Sequence, residues 1–126
     1  RQADHLNLFQ IATKTKQLRE HAESGQLKDN EMGGGTFTLS NLGMYGLDNF
    51  TAVINPPEAG VLALGAIKEQ PIGLGGAIVL RPIMVATLSV DHRVVDGITA
   101  ARFIGSYKNK LENPICLVIN LSQDLG

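Results

Sequence analysis

Leu8, Ile11, Ala12, Thr15, Leu18 and Ala22 recur at three- and four-residue spacing, while Lys14, Lys16, Gln17, Arg19 and Glu20 fall mostly on the other side of the wheel. That period predicts an amphipathic helix. Asn7 as N-cap with Gln10 three residues on, a staple-like pair of Leu6 and Ile11, and Gly25 as a stop place it near 8–24. Residues 26–32 are polar and Gly33-Gly34-Gly35 breaks any helix, after which Thr36-Phe37-Thr38-Leu39-Ser40 has the alternation and β-propensity of a strand. A loop with two glycines follows at 41–48. Residues 50–54 and 61–67 read as strands on either side of Asn55-Pro56-Pro57, because proline biases the residue before it toward extended geometry. Gly73-Leu74-Gly75-Gly76 reads as a turn between apolar strands, and the nearly continuous apolar run 83–90 as a strand buried on both faces. Ala100, Phe103, Ile104, Tyr107 and Leu111 predict a second amphipathic helix that ends before Asn113-Pro114. The short apolar tail 115–119 fits helix or strand equally well.

Helix, several strands, helix is an α/β or α+β order in which both helices can cover one sheet face, and it leaves the topology open. Fourteen glycines and no tryptophan among 126 residues speak against a helical bundle. An apolar share of 44% against 18% charged residues is enough for one core. Eleven basic against twelve acidic residues give a net charge of −1, so nucleic acid is not expected as a partner. Cys116 is the single cysteine, which rules out an intrachain disulfide and a CxxC-type zinc or iron–sulfur site and fits a reducing compartment. No apolar run approaches the ~18–20 residues of a membrane span and the N-terminus lacks the layout of a signal peptide, so no membrane is expected and a soluble intracellular protein is the default.

His92 sits where the long apolar run gives way to Asp91-His92-Arg93-Val94-Val95-Asp96-Gly97. Strand ends that open into loops are where α/β proteins place reactive groups. An imidazole there, with an ordinary pKa near ~6.5, suits a general base; a hydrogen-bonded structural histidine is the alternative. Asp96 precedes the second helix and reads either as its N-cap, accepting from Ile98 or Thr99, or as a group that orients His92. Asp91 and Arg93 read as a structural salt bridge. Ser40 closes a strand before a glycine-containing loop, so its hydroxyl can donate to an anion or cap a turn, and no GxSxG elbow marks it as a nucleophile. His5 and His21 read as solvated surface residues, Cys116 as inert and buried, and the Asn49-Phe50-Thr51 sequon as a chance match. Neither glycine cluster completes a phosphate-binding loop.

The heptapeptide DHRVVDG at 91–97 resembles the DHRxxDG signature of the dihydrolipoamide acyltransferases, the E2 components of 2-oxoacid dehydrogenase complexes. The blocks GGTFTLSNLGM at 34–44, 45–54, NPPEA at 55–59, 61–66 and LENP at 111–114 resemble the same family in the same order, as does the helix 8–23 followed by Gly25-Gln26-Leu27. The likeness is weakest over 68–81, and the block 41–59 is most similar to the pyruvate-type members.

The resemblance implies a chloramphenicol-acetyltransferase-like fold, an α+β two-layer arrangement with a mixed sheet covered by helices. Family catalytic domains are roughly twice this length, so residues 1–126 are expected to be the C-terminal half of one, with no lipoyl or subunit-binding domain. His92 then matches the base that takes a thiol proton, Ser40 the hydroxyl that stabilises a tetrahedral oxyanion, and Asp96 the acidic or amide position that supports the histidine loop. Coenzyme A would be the acyl acceptor, the acyl group, acetyl by preference, would arrive on lipoamide carried by a lipoyl domain outside 1–126, and no metal is expected. Implied partners are two further copies in a homotrimer, with serine and histidine supplied by different chains, a larger cubic or icosahedral core, and the E1 and E3 components through upstream domains. An arginine from the N-terminal half would approach Asp96. Bacterial cytoplasm or mitochondrial matrix is the implied location. A non-catalytic E2-like core subunit and a small-acceptor O-acetyltransferase of the same fold are the rival readings.

Overall fold

The computed structural model describes residues 2–115 and 117. Helix α1 (Leu8–Glu23) starts where predicted: Asn7 Oδ1 accepts from the Gln10 N–H at 2.9 Å, and Gln10 Oε1 accepts from the Asn7 N–H at 3.0 Å. Two of the four orphan N–H groups are thereby satisfied. After Ser24 the chain turns through Gly25 at φ 68°. Strands β1 (Thr38–Asn41), β2 (Gly60–Leu64), β3 (Lys68–Leu74), β4 (Ala77–Ile83) and β5 (Ala86–Val90) follow, then helix α2 (Gly97–Glu112).

The chain divides into two compact units, residues 1–35 with 105–126, and residues 36–104. The second holds a three-stranded sheet of order β1-β2-β5, in which β1 and β2 are parallel and β2 and β5 antiparallel. It also holds the hairpin β3-β4. Val61, Leu62 and Ala63 of the central strand are the most buried apolar side chains among the described residues. The hairpin closes through Gly75 and Gly76, whose φ values of 58° and 81° are what a two-residue turn with the twist of flanking strands demands.

Four expected strands differ in the structure. Residues 50–54 form no strand: the following Pro56-Pro57 lacks two backbone donors, and Val53 stands 91% exposed, partnered by no ladder. The strand expected at 61–67 stops at Leu64, because Gly65 donates to Val85 and Ala66 to Leu47. The run 83–90 is split at residues 84–85 between β4 and β5, and β5 is half-buried throughout. Burial on both faces belongs to β2, the strand with a neighbour on each side. The first strand begins at Thr38 rather than Thr36. In the tail, the Leu117 N–H donates to the Pro114 carbonyl at 3.0 Å, a helical turn. Cys116 and residues 118–126 lie outside the described residues, and with them the expectation for the thiol.

Candidate active site

Ser40 lies on β1, an edge strand, opposite Ala63 of β2, which in turn faces Thr87 of β5. It is half-buried, and its hydroxyl has no hydrogen-bond partner among the described residues. The loop after it is fixed by backbone bonds: Leu42 N–H donates to Leu64, and the Asn41 side chain accepts from Gly43. The unspent donor is therefore carried on a rigid support.

His92 follows β5 in a tight turn. Asp91 donates its N–H to Ala59 at 2.9 Å and its carbonyl accepts from Val94 at 3.0 Å and Val95 at 2.9 Å. The Asp91 carboxylate accepts from the Arg93 N–H at 3.0 Å and from the guanidinium, Nη2 at 2.6 Å and Nε at 3.0 Å. The salt bridge expected at this place is present, and these bonds pull the Asp91 carboxyl down to about 2. The imidazole is exposed and makes no hydrogen bond among the described residues. It lines a cleft of about 520 Å³ together with Ile54, Pro56, Pro57 and Glu58 on one side and the flanking residues 90, 91, 93 and 94 on the other. Glu58, which sequence reasoning did not single out, holds the Thr38 hydroxyl as well as facing this cleft. Its sequence signal is its place in the NPPEA block, directly after two prolines.

Asp96 caps α2: Oδ1 accepts the Thr99 N–H at 2.6 Å and its carbonyl accepts from Ala100. Of the two readings open from sequence, the cap is the one with a hydrogen bond. The Thr99 bond is also the first cause of its lowered carboxyl pKa, the charge of His92 a minor one. His21 corrects the expectation of a solvated surface residue. Its Nδ1 lies 3.1 and 3.2 Å from the two carboxylate oxygens of Glu31, ten residues on, and its side chain is 37% exposed. His5 is exposed beside Asp4. The Asn49 side chain accepts the Thr87 hydroxyl at 2.9 Å. Among the described residues no three His, Cys, Asp or Glu side chains gather as metal ligands, and no helix is long and apolar enough to cross a membrane.

The strand register sets Ser40 apart from the start of the His92 turn. Ser40 is level with Thr87; three residues further along β5 and two strand spacings across put Val90 about 14 Å away by ordinary sheet dimensions. Val90 also falls on the opposite face by strand alternation. The bond from Asp91 to Ala59 carries the ladder outward rather than back toward Ser40.

The sequence profile described as 2-oxoacid dehydrogenases acyltransferase (catalytic domain) matches residues 1–119. The chain is 40% identical over 117 residues to the dihydrolipoyllysine-residue acetyltransferase component of the pyruvate dehydrogenase complex of Rickettsia prowazekii, covering 93% of this chain and 29% of that one. It is 45% identical over 117 residues to the mitochondrial counterpart of Schizosaccharomyces pombe, 90% and 24% covered. The structure superimposes with a TM-score of 0.86 at 36% identity on the Azotobacter vinelandii dihydrolipoamide acetyltransferase, covering 94% of this chain and 49% of that one. In that enzyme a serine, a histidine 52 residues after it and an asparagine 4 residues further have been investigated for their role in the catalytic mechanism. A TM-score of 0.85 at 35% identity relates the chain to the cubic core of the pyruvate dehydrogenase multienzyme complex, 91% and 47% covered. The chain thus spans about half the length of these solved chains and under a third of the curated relatives.

Proposed function

The chain belongs to the 2-oxoacid dehydrogenase acyltransferase family, and from that premise we propose that it is the C-terminal half of a catalytic domain moving an acyl group, acetyl by preference, from S-acyldihydrolipoamide to coenzyme A. The observation that carries the reading is a pair of unspent polar groups at fixed places: the Ser40 hydroxyl on β1 and the His92 imidazole in a cleft at the end of β5. Their separation of 92 − 40 = 52 and that of Asp96, 96 − 92 = 4, equal those of the serine, histidine and asparagine of the Azotobacter vinelandii enzyme.

The chemistry fits these groups. A thiol is mostly protonated at neutral pH, so a neutral imidazole must take its proton as sulfur attacks the thioester carbonyl. The carbon–sulfur bond forms while the carbonyl oxygen becomes an oxyanion, and a hydroxyl held on a strand can donate to it at no reorganisation cost. Collapse expels the dihydrolipoamide sulfur, which recovers the proton from the imidazolium. No acyl-enzyme forms. Asp96 takes part by capping α2 and so fixing the far end of the histidine loop.

Because the strand register sets Ser40 and Val90, the last β5 residue before the His92 turn, about 14 Å apart, the reading takes Ser40 of one copy to meet His92 of another, within a trimer of a larger core. Either the bacterial cytoplasm or the mitochondrial matrix suits such a complex. The test uses full-length enzyme and acetyl transfer from acetyl-CoA to dihydrolipoamide. His92→Ala is expected to lower kcat by about 10²–10⁴-fold and Ser40→Ala by about 10²–10³-fold. Co-assembling the two inactive variants in equal amounts should restore roughly a quarter of the sites, the fraction that draws an intact serine and an intact histidine from different copies. Wild-type rates in both single variants would sink the assignment. No recovery on co-assembly would sink the shared site.

A further inference from the structure

Asp91 is the most heavily used residue of the His92 turn. Its N–H, its carbonyl and both carboxylate oxygens are engaged, and six of these bonds, two to the carbonyl and four to the carboxylate, close onto the residues just beyond the imidazole. Arg93 reaches back across His92 to the same carboxylate while its own side chain stays 87% exposed. An ion pair this open to water contributes little to global stability, so its geometry calls for a local explanation. The charged groups around the imidazole supply one. Glu58 faces it from the segment before β2, Asp96 from the start of α2, and Asp91 and Arg93 from its own turn. Three carboxylates and one guanidinium surround a group that must be neutral to accept a proton.

We propose that Asp91 and Arg93 are a positioning pair for His92: together they clamp the turn that presents the imidazole to the cleft, and each cancels the charge the other would place beside it. The inference rests on the reading of His92 as the base. The fork geometry matters for the first role, because two parallel N–H donors fix the guanidinium plane and hence the backbone on both sides of residue 92. Charge cancellation matters for the second: an uncancelled carboxylate favours imidazolium, an uncancelled guanidinium favours imidazole.

The experiment is the pH dependence of kcat and KM for acetyl transfer in full-length assembled enzyme. Arg93→Gln leaves the Asp91 carboxylate unpaired, and the acid limb of the kcat profile should move up by about half a pH unit, as one charge some 6 Å away in a watery setting dictates. Asp91→Asn keeps an oxygen for the Arg93 N–H but frees the guanidinium, and the limb should move down. The double variant should return the limb to its original place while kcat stays about 10-fold low through the loosened turn, with KM for coenzyme A changed less than about twofold. Arg93→Lys, which keeps the charge without the fork, should restore the limb but not kcat, and it serves where Arg93→Gln fails to fold. Limbs that stay put, or shift in the same direction in both single variants, would overturn the inference while His92→Ala remains inactive. A fully active His92→Ala would instead remove the reading of the base, and this inference with it.

Discussion

Substituting alanine at Gly65 tests how the support beneath Ser40 is built. A Cβ placed there would stand 2.0 Å from the Asp48 carbonyl oxygen, 2.7 Å from its carbon and 3.2 Å from the Leu47 oxygen. All three are backbone atoms, so no side chain can swing aside. The 42–48 loop must retreat by about 1 Å or more to reach ordinary contact, against the pull of the 2.7 Å bond from Ala66 N–H to Leu47. Overpacking of this kind costs about 1–3 kcal/mol and a lost hydrogen bond about 1 kcal/mol, so Gly65→Ala should destabilise by about 2–4 kcal/mol. The same loop continues directly from Ser40, and a displacement of that size at a donor lowers turnover by as much as ~10²-fold. Urea unfolding at fixed protomer concentration, with acetyl transfer measured in parallel, reads both effects. Gly73→Ala is the control, since a Cβ there meets nothing within 4 Å. A Gly65→Ala enzyme that unfolds and turns over like Gly73→Ala would show that the close approach does not govern this loop.

Val61→Ala, at 1% exposure in the central strand, should lower stability by about 2 kcal/mol through lost burial and the cavity left behind, measured by the same unfolding midpoint. The carboxyls of Asp91 and Asp96 titrate below their ordinary value of 3.8 in the folded chain, so the unfolded chain takes up protons first as pH falls. Their contribution, kept small by solvent screening, is present above the ordinary aspartate pKa and fades as pH falls below it, that of Asp91 being lost as pH falls through about 2; Tm should therefore decline with pH over that range, and Asp91→Asn should flatten the decline. Gly76→Val, at φ 81° in the β3-β4 turn, should cost about 1–2 kcal/mol from left-handed strain alone, seen as a lowered Tm.

What the sequence made legible follows the range of the interactions concerned. Asn7, Gln10 and Gly25 bound α1 through contacts three or four residues apart, and each stands where its side-chain chemistry predicts. Asp96 likewise declares its cap through Thr99, three residues on. Strand limits are set by partners far along the chain, and there local pattern misled. Residues 50–54 have the composition of a strand without a neighbour to bond, whereas 60–64 have neighbours on both sides and become the core. The break at 84–85 is invisible to hydropathy, because Met84 and Val85 are as apolar as what flanks them. It arises where Val85 turns its carbonyl to Gly65. The pairing of His21 with Glu31 escaped for the same reason: ten residues and a turn lie between them.

The contrast among the histidines and hydroxyls carries the functional argument further than any one of them. His21 has a carboxylate within 3.2 Å on either oxygen, and the hydroxyls of Thr38 and Thr87 are held by Glu58 and Asn49. Such groups have their polar capacity satisfied inside the chain, and that suffices to explain them. Ser40 and His92, like Ser89 on β5, have a backbone held by neighbouring bonds and a side chain without a hydrogen-bond partner among the described residues. A half-buried hydroxyl and an exposed imidazole open to water add little to folding. Under the proposed function they serve the reaction, because donors and bases that need not move at the moment of charge transfer are worth the most there. The register of β1, β2 and β5 bears on the assembly that the proposed function takes. Under the proposed function, a serine level with Thr87 and a histidine in the turn beyond the far end of β5 serve a single carbonyl through a second copy that brings its own turn to the first copy's edge.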